Sequence, residues 1–303
     1  ALENCGTGNK SNRTGQKGCS EMKNKTLKCG FSMPVLGMGT WQMGGRMERD
    51  SRNDDAGQIQ ALKTGLDLGF NLIDTAESYA DGKAEELVGE AIRGYDRGKL
   101  FLTSKVWKTH VAYDDVLRAA ENSLKRLGTD YLDLYLYHQV NNEVPLKETM
   151  RAFDRLVSEK LVRHIGVSNF ALERFKRAQA CAEHKIVVNQ IHYSLSVREP
   201  ESELLPWLQE NDVMIQAWRP LRGVPDCALL NELCTKYGKT KSQIALNWLI
   251  MQKNIVTITA SSSARHIQDN LDAAAFEMAP SDVELLMRDF PEKKFISDAV
   301  PLS

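Results

Sequence analysis

Eight short apolar runs recur along this chain, and helical period follows each of them. The runs are "VLGMGTW", "NLIDT", "LFLTSKVW", "LDLYLYH", "HIGVSN", "VVNQIHY", "VMIQAW" and "IVTITAS". They are too apolar for strands with one wet face and match parallel strands covered on both sides. Between them lie amphipathic stretches such as "DAGQIQALKTGLDLG", "YDDVLRAAENSLKRLG" and "LKETMRAFDRLVSEK". Asp114 stands where a helix N-cap is expected, and Gly69 and Gly128 follow last turns. Strict alternation of this kind predicts a (β/α)8 TIM barrel, and 303 residues hold one as a single domain. A doubly wound open sheet is the runner-up. It wants a G-x-G-x-x-G turn after its first strand, whereas "GMGTW" lacks the third glycine and opens no helix. "KTLKCGFSMP" reads as a short N-terminal β-hairpin ahead of the first barrel strand. Residues 1–25 are polar, rich in Gly, Asn and Lys, and without period, so a mobile extension is expected there, with the barrel over 26–303.

Composition removes several classes of function. Acids and bases nearly cancel, at a formal charge of −1, and no basic stripe offers itself to nucleic acid. The longest apolar stretches are far too short to cross a bilayer, so no membrane partner is expected. The opening residues carry no secretory n-region and h-region, which predicts a cytoplasmic protein. Six cysteines without zinc spacing are expected to be free thiols in a reducing compartment. The sequons at Asn9, Asn12 and Asn24 then stay unmodified.

Nearly every strand candidate ends on a polar residue: Thr40, Asp74, Lys105, His138, Asn169, Gln190, then Ser261 to Ser263. A barrel gathers the carboxyl ends of its strands on one face, where active sites form. Asp74, Lys105 and His138 end successive strands and would meet there, with Tyr79 on the loop after Asp74. A free phenol titrates near 10, too high to exchange protons readily at neutral pH. An ammonium at about 4 Å favours the phenolate by up to ~4 kcal/mol at an effective dielectric near 20. That predicts a Tyr79 pKa lowered by as much as about three units before desolvation acts. Asp74 would keep Lys105 charged, and His138 Nε2–H would donate to a carbonyl oxygen beside the phenol. Such a group protonates an oxygen as it gains charge. Taken singly, an Asp–Lys pair or a rim histidine is more often structural; four matched types on adjacent strand ends are not. No metal is expected, because His138 and His192 with Lys105 among the acids make a poor ligand set.

The motifs "GMGTW", "NLIDTAESY", "TSKVW", "GTDYLDLYLYH", "RHIGVSNF" and "VNQIHY", in this order, resemble those of the aldo-keto reductase superfamily from Thr26 to about Pro291. The resemblance implies a catalytic tetrad of Asp74, Tyr79, Lys105 and His138. It also implies an extended NADP(H), favoured, or NAD(H), bound without a Rossmann fold. Tyrosine is the general acid/base in that family, and hydride passes between nicotinamide and carbonyl carbon. Ser168, Asn169 and Gln190 then hold the carboxamide and Trp218 stacks on the ring. Ser168 and Asn169 are equally placed to cap the helix "FALERF", and Trp218 to pack in the core. Further cofactor contacts are implied at Gly39, Thr40 and Trp41, and at Arg219, Pro220 and Leu221.

The phosphate end departs from the family pattern. Serines before the helix "ARHIQDNL" make an anion site at Ser261 and Ser262, with Arg265 and His266 beside it, and the resemblance implies further cofactor contacts at Asp269 and Asn270. Ala260 stands where relatives carry lysine, His266 where they carry arginine, and Arg219 where many carry serine. A neutral imidazole holds a 2′-phosphate less well than a guanidinium. Weakened discrimination against NAD(H) is therefore expected. Trp41, Trp107 and Gln139 are expected to line the substrate pocket, and the short segments "RPLRGVPD" and "FPEKKFISDAVPLS" to leave its mouth open. That mixture suits small or hydroxylated carbonyls, sugars included, reduced reversibly to alcohols by a monomer or weak homodimer. The alternative is a cofactor-binding, redox-sensing regulatory subunit with little turnover.

Overall fold

Covered on both faces, the eight apolar runs form eight parallel strands. The computed structural model describes residues 22–224, 226–289 and 296–303. The strands are β3 (Leu36–Gly39), β4 (Leu72–Asp74), β5 (Phe101–Val106), β6 (Leu132–Tyr137), β7 (Val162–Ser168), β8 (Ile186–His192), β9 (Met214–Trp218) and β10 (Ile255–Thr259). They pair in chain order, and β10 closes on β3 to complete the barrel. Its interior is filled by Leu72, Leu134, Leu136, Val188, Met214 and Val256. An antiparallel hairpin of β1 (Asn24–Thr26) and β2 (Ser32–Pro34) precedes it. Leu27, Phe31 and Met33 of that hairpin pack into the same interior cluster. The hairpin plugs one end, and the other is left for chemistry. The first hairpin strand takes in Asn24 and Lys25 as well as Thr26. Of the extension expected over 1–25, residues 1–21 lie outside the described residues.

Among the described residues ten α-helices accompany the strands: α1 (Asp55–Leu68), α2 (Lys83–Ala91), α3 (Tyr113–Leu127), α4 (Leu146–Ser158), α5 (Leu172–Cys181), α6 (Leu204–Glu210), α7 (Ala228–Tyr237), α8 (Lys241–Met251), α9 (Ala264–Ala274) and α10 (Pro280–Asp289). Gly69 and Gly128 end α1 and α3 in the left-handed conformation, at φ 110° and 64°. There a missing Cβ removes the steric penalty. The expected N-cap of α3 is corrected by one turn's start: Ala112 occupies it, and Asp114 and Asp115 lie in the first turn. Two carboxylates there complement the helix dipole without a capping hydrogen bond. None of the described helices is long and apolar enough to cross a membrane. The described cysteines Cys29, Cys181, Cys227 and Cys234 are free thiols.

Gly166 on β7 makes room for its neighbours inside the barrel. A Cβ there would sit 2.5 Å from the Leu136 side chain and 2.9 Å from the Val188 carbonyl oxygen. Backbone cannot yield as a flexible side chain does. Gly166→Ala is therefore expected to destabilise the fold by about 1–3 kcal/mol, as overpacked cores do. Urea unfolding checks this, and an unchanged midpoint would show that β8 gives way freely.

Candidate active site

The polar strand ends converge at the end opposite the hairpin. Register sets them side by side: Gly39 pairs with Asp74, Ser168 with Gln190, Gln190 with Gln216, and His192 with Trp218. Asp74 and Lys105 are buried among them, at 1 % and 0 % exposure. Lys105 Nζ donates to Asp74 Oδ1 at 2.6 Å, to the Thr75 carbonyl at 2.7 Å and to the Tyr79 hydroxyl at 3.2 Å. All three ammonium hydrogens are used, so the charged form of Lys105 is the one this site is built around. Its pKa lies above the ordinary lysine value, because Asp74 and Tyr79 outweigh the cost of burial.

Tyr79 comes from the loop after β4, and that loop is held by unusual backbone. Ala80, Asp81 and Gly82 follow it at φ 50°, 49° and 77°. Left-handed conformations at Ala80 and Asp81 cost on the order of 1–2 kcal/mol each and persist only where the surroundings enforce them. Here the Ala80 and Asp81 amides donate to the Arg46 and Met47 carbonyls at 2.7 and 3.0 Å. Non-glycine residues with positive φ also stand just past the ends of β7 and β9, at Asn169 (62°) and Arg219 (51°).

His138 follows β6 at the same level. Its ring meets the edges of Tyr79 and Trp107 at centroid distances of 5.5 and 5.2 Å, and the Ser78 hydroxyl lies 3.3 Å from its Nδ1. Burial first, then the Lys105 charge, hold this imidazole well below the usual histidine range, so it is neutral. The Tyr79 phenol corrects the expectation of a lowered pKa. Burial raises it above 10, and the opposing pull of Lys105 does not cancel that. Burial likewise raises the Asp74 carboxyl, opposed by Lys105 and by Gln190, whose Nε2 donates to Oδ2 at 2.7 Å. With two donors on its two oxygens, Asp74 is placed to act as a carboxylate.

A cavity of about 500 Å³ opens over these groups. Asp74, Tyr79 and His138 line its floor, and Lys105 lies beneath, reached through Tyr79 and Asp74. Trp41, Trp107 and Gln139, the residues expected to meet substrate, also line this cavity. Gly39, Thr40, Ser168, Asn169 and Gln190 line it too, as do Trp218, Arg219, Pro220 and Leu221. Neither Ser168 nor Asn169 caps α5, whose N-cap is Ala171 without a side-chain bond. Instead Asn169 Oδ1 accepts from Trp218 Nε1 at 3.1 Å, and its Nδ2 donates to Ser168 Oγ at 2.9 Å. Trp218 stacks one face on His192, at 4.4 Å and 21°, while also lining the cavity.

The expected phosphate residues are not brought into that cavity. Its wall stops at Thr259 and Ala260, and Ser261, Ser262, Arg265, His266 and Asp269 lie beyond it on the loop and first turns of α9. Arg265 and His266 are exposed. Asn270 is buried, its amide donating to Thr259 Oγ1 at 3.1 Å. The mouth is less open than the short tail suggests. The Ala171 amide donates to the Ser303 carbonyl at 3.0 Å, the Ser303 amide to the Asn169 carbonyl at 3.1 Å, and Arg222 pairs with Asp298 at 2.8 Å. Ala299 and Val300 thereby join the cavity lining, with Gln42 and Met47 from the loop after β3. Gln216, whose Oε1 accepts from Gln190 Nε2 at 2.7 Å, is a further member of the floor network. A glutamine inside the apolar run "VMIQAW" was its only sequence signal, and Ala299 and Val300 gave none.

The aldo/keto reductase family model matches residues 35–288. The chain belongs to this family. Methylglyoxal reductase YeaE of Escherichia coli is 34% identical over 271 residues, covering 87% of this chain and 93% of that protein. Glyoxal reductase of Bacillus subtilis is 34% identical over 262 residues, covering 85% and 89%. Among solved structures, the thermostable aldo-keto reductase Tm1743 with the inhibitor epalrestat superposes at a TM-score of 0.84, with 40% identity, covering 88% of this chain and 98% of that one. An aldo/keto reductase from Klebsiella pneumoniae in complex with NADP and acetate superposes at 0.79, with 33% identity over 93% and 100% of the two chains. This aldo/keto reductase is accordingly an NAD(P)H-dependent oxidoreductase acting on carbonyls, and the (β/α)8 barrel expected from the alternating pattern is the fold it has.

Proposed function

We propose that this aldo/keto reductase reduces small aldehydes and α-dicarbonyls, with Tyr79 as the proton donor. The observation that carries the reading is the Tyr79 hydroxyl, 3.2 Å from a buried, fully bonded ammonium and opening on the cavity beside a neutral imidazole. A carbonyl oxygen bound there gains negative charge as its carbon accepts hydride. Tyr79 gives it a proton, Lys105 stabilises the phenolate left behind, and Asp74 holds Lys105 in place. His138 orients the oxygen, and Trp41 and Trp107 keep water from it. Glyoxal and methylglyoxal are the substrates named in two relatives, and both fit a cavity of about 500 Å³ with one polar edge at Gln139. Hydroxylated carbonyls, sugars among them, suit the same edge.

The residues present fit a nicotinamide dinucleotide. Trp218, stacked on His192, lines the cavity and supplies an aromatic surface there. The Gln190 amide has its hydrogens committed to Asp74 and Gln216, which leaves its carbonyl oxygen to accept from a carboxamide. Such a cofactor supplies the hydride, which no side chain can. The Klebsiella relative was solved with NADP, and we take NADP(H) as the preferred form, with contacts from Arg219 and Arg222 and from the loop before α9. Because the exposed Arg265 lies 4.0 Å from Asp269 and position 266 holds an imidazole in place of a bidentate guanidinium, discrimination should be modest. The expected ratio of kcat/KM for NADPH over NADH is above one and below about a thousand, equivalent to ~4 kcal/mol. A larger ratio would place a strong 2′-phosphate site elsewhere.

The redox-sensing alternative is not supported, since the relatives named above are reductases. A screen of glyoxal, methylglyoxal, short aldehydes, sugars and keto acids with both nicotinamides tests the proposal. Brisk oxidation with the dicarbonyls is expected. Cofactor binding without oxidation across that panel would overturn it.

A further inference from the structure

Ser78 is 8 % exposed, sits directly before Tyr79, and lines the cavity floor. Its hydroxyl approaches only one side-chain partner among the described residues, the Nδ1 of His138, at 3.3 Å. The ring carrying that nitrogen is held in edge-to-face contact with Tyr79 and Trp107, and its other nitrogen, Nε2, is the one left for a ligand in the cavity that His138 lines. A neutral imidazole carries one proton, and the hydrogen bond made by one nitrogen decides what the other presents. A carboxylate or carbonyl at Nδ1 would have demanded an N–H there and turned a lone pair on Nε2 toward the substrate. A hydroxyl makes no such demand, because it can donate.

We propose that Ser78 is a positioning residue: its hydroxyl donates to Nδ1 of His138 and keeps the imidazole proton on Nε2, facing the carbonyl oxygen to be reduced. The statement about what Nε2 faces rests on the carbonyl-reduction reading given above; the tautomer does not. With the proton on Nε2, His138 adds a second donor beside the Tyr79 hydroxyl. With the proton on Nδ1, two lone pairs would oppose each other at the oxygen that must be held.

Nitrogen-15 spectra of the resting 303-residue chain, labelled at its six histidines, read the tautomer without any turnover. The His138 signals are assigned by their loss in His138→Gln. In the wild type, Nδ1 is expected to give the unprotonated, pyridine-type resonance and Nε2 the protonated one. In Ser78→Ala the Nδ1 resonance should move as its hydrogen bond is lost. Carbonyl reduction should slow in kcat by about three- to tenfold, the rate equivalent of one neutral hydrogen bond, with KM for the nicotinamide unchanged. Ser78→Thr, which keeps a hydroxyl, should recover both readouts. A protonated Nδ1 in the wild type overturns the proposal, and so does a His138 spectrum indifferent to Ser78→Ala. A rise in carbonyl KM at unaltered kcat overturns it in favour of a plain wall contact. If the wild type turns over no carbonyl, the functional reading falls while the spectra still decide the tautomer.

Discussion

Tyr79→Phe is expected to slow nicotinamide-dependent carbonyl reduction by about 10² to 10⁴, the usual contribution of a positioned general acid. The substitution removes one oxygen and keeps the ring, whose edges remain against Trp41 at 5.0 Å and His138 at 5.5 Å. The lost contact is the 3.2 Å bond from Lys105, and that ammonium keeps Asp74 and the Thr75 carbonyl. The loss should therefore fall on kcat, with binding of the nicotinamide and the unfolding midpoint near wild type. Burial holds the phenol above 10 despite Lys105. It is thus protonated, the form a donor needs, and the wild-type rate of reduction should stay flat from about pH 6 to 9 and decline only above that. Stopped-flow turnover across this range checks both parts. Wild-type rates in Tyr79→Phe would remove the phenol from the reaction, and an alkaline limb near pH 7 would show that the cofactor, not the apo site, sets its acidity.

The barrel was legible because parallel strands sealed on both faces must be apolar from end to end, and eight such runs alternating with helical period leave few other folds. The gathering of Asp74, Tyr79, Lys105 and His138 was legible for the converse reason. Charge is excluded from buried strands, so Asp74 and Lys105 at strand ends had to mark the mouth. What stayed hidden depends on balances that spacing does not carry. The sign of the Tyr79 shift turns on how much of the phenol is buried, and a one-dimensional reading saw only the nearby ammonium. Gln216 resembles its apolar neighbours by position and differs by the bond it makes to Gln190. Ala299 and Val300 reach the cavity through backbone pairing of Ser303 with Asn169 and Ala171, which no side-chain pattern encodes. The serines before α9 read as an anion site, yet Asn270 faces inward on Thr259 and the cavity ends before them.

Lys105→Met should injure stability and chemistry together, and the two losses can be separated. Lys105 and Asp74 are both buried, 2.6 Å apart. Removing one partner of such a pair strands the other charge and typically costs about 3–5 kcal/mol. Gln190 alone then remains on the carboxylate, and the cheaper response is for Asp74 to take up a proton. A carboxyl whose folded pKa exceeds its unfolded value stabilises the fold fully at pH below the unfolded value and loses that contribution as pH rises through the folded one. Lys105→Met should accordingly lie closer to wild type in stability near pH 4 than at pH 7. Adding Asp74→Asn neutralises the stranded group, so the double variant should recover most of the unfolding midpoint at pH 7. It should not recover turnover, expected to be down about 10² or more in both variants, because the ammonium that receives the phenolate is still missing. Recovery of activity along with stability would mean that the pair serves packing alone. Equal instability at both pH values would mean that Asp74 never becomes the uncompensated charge.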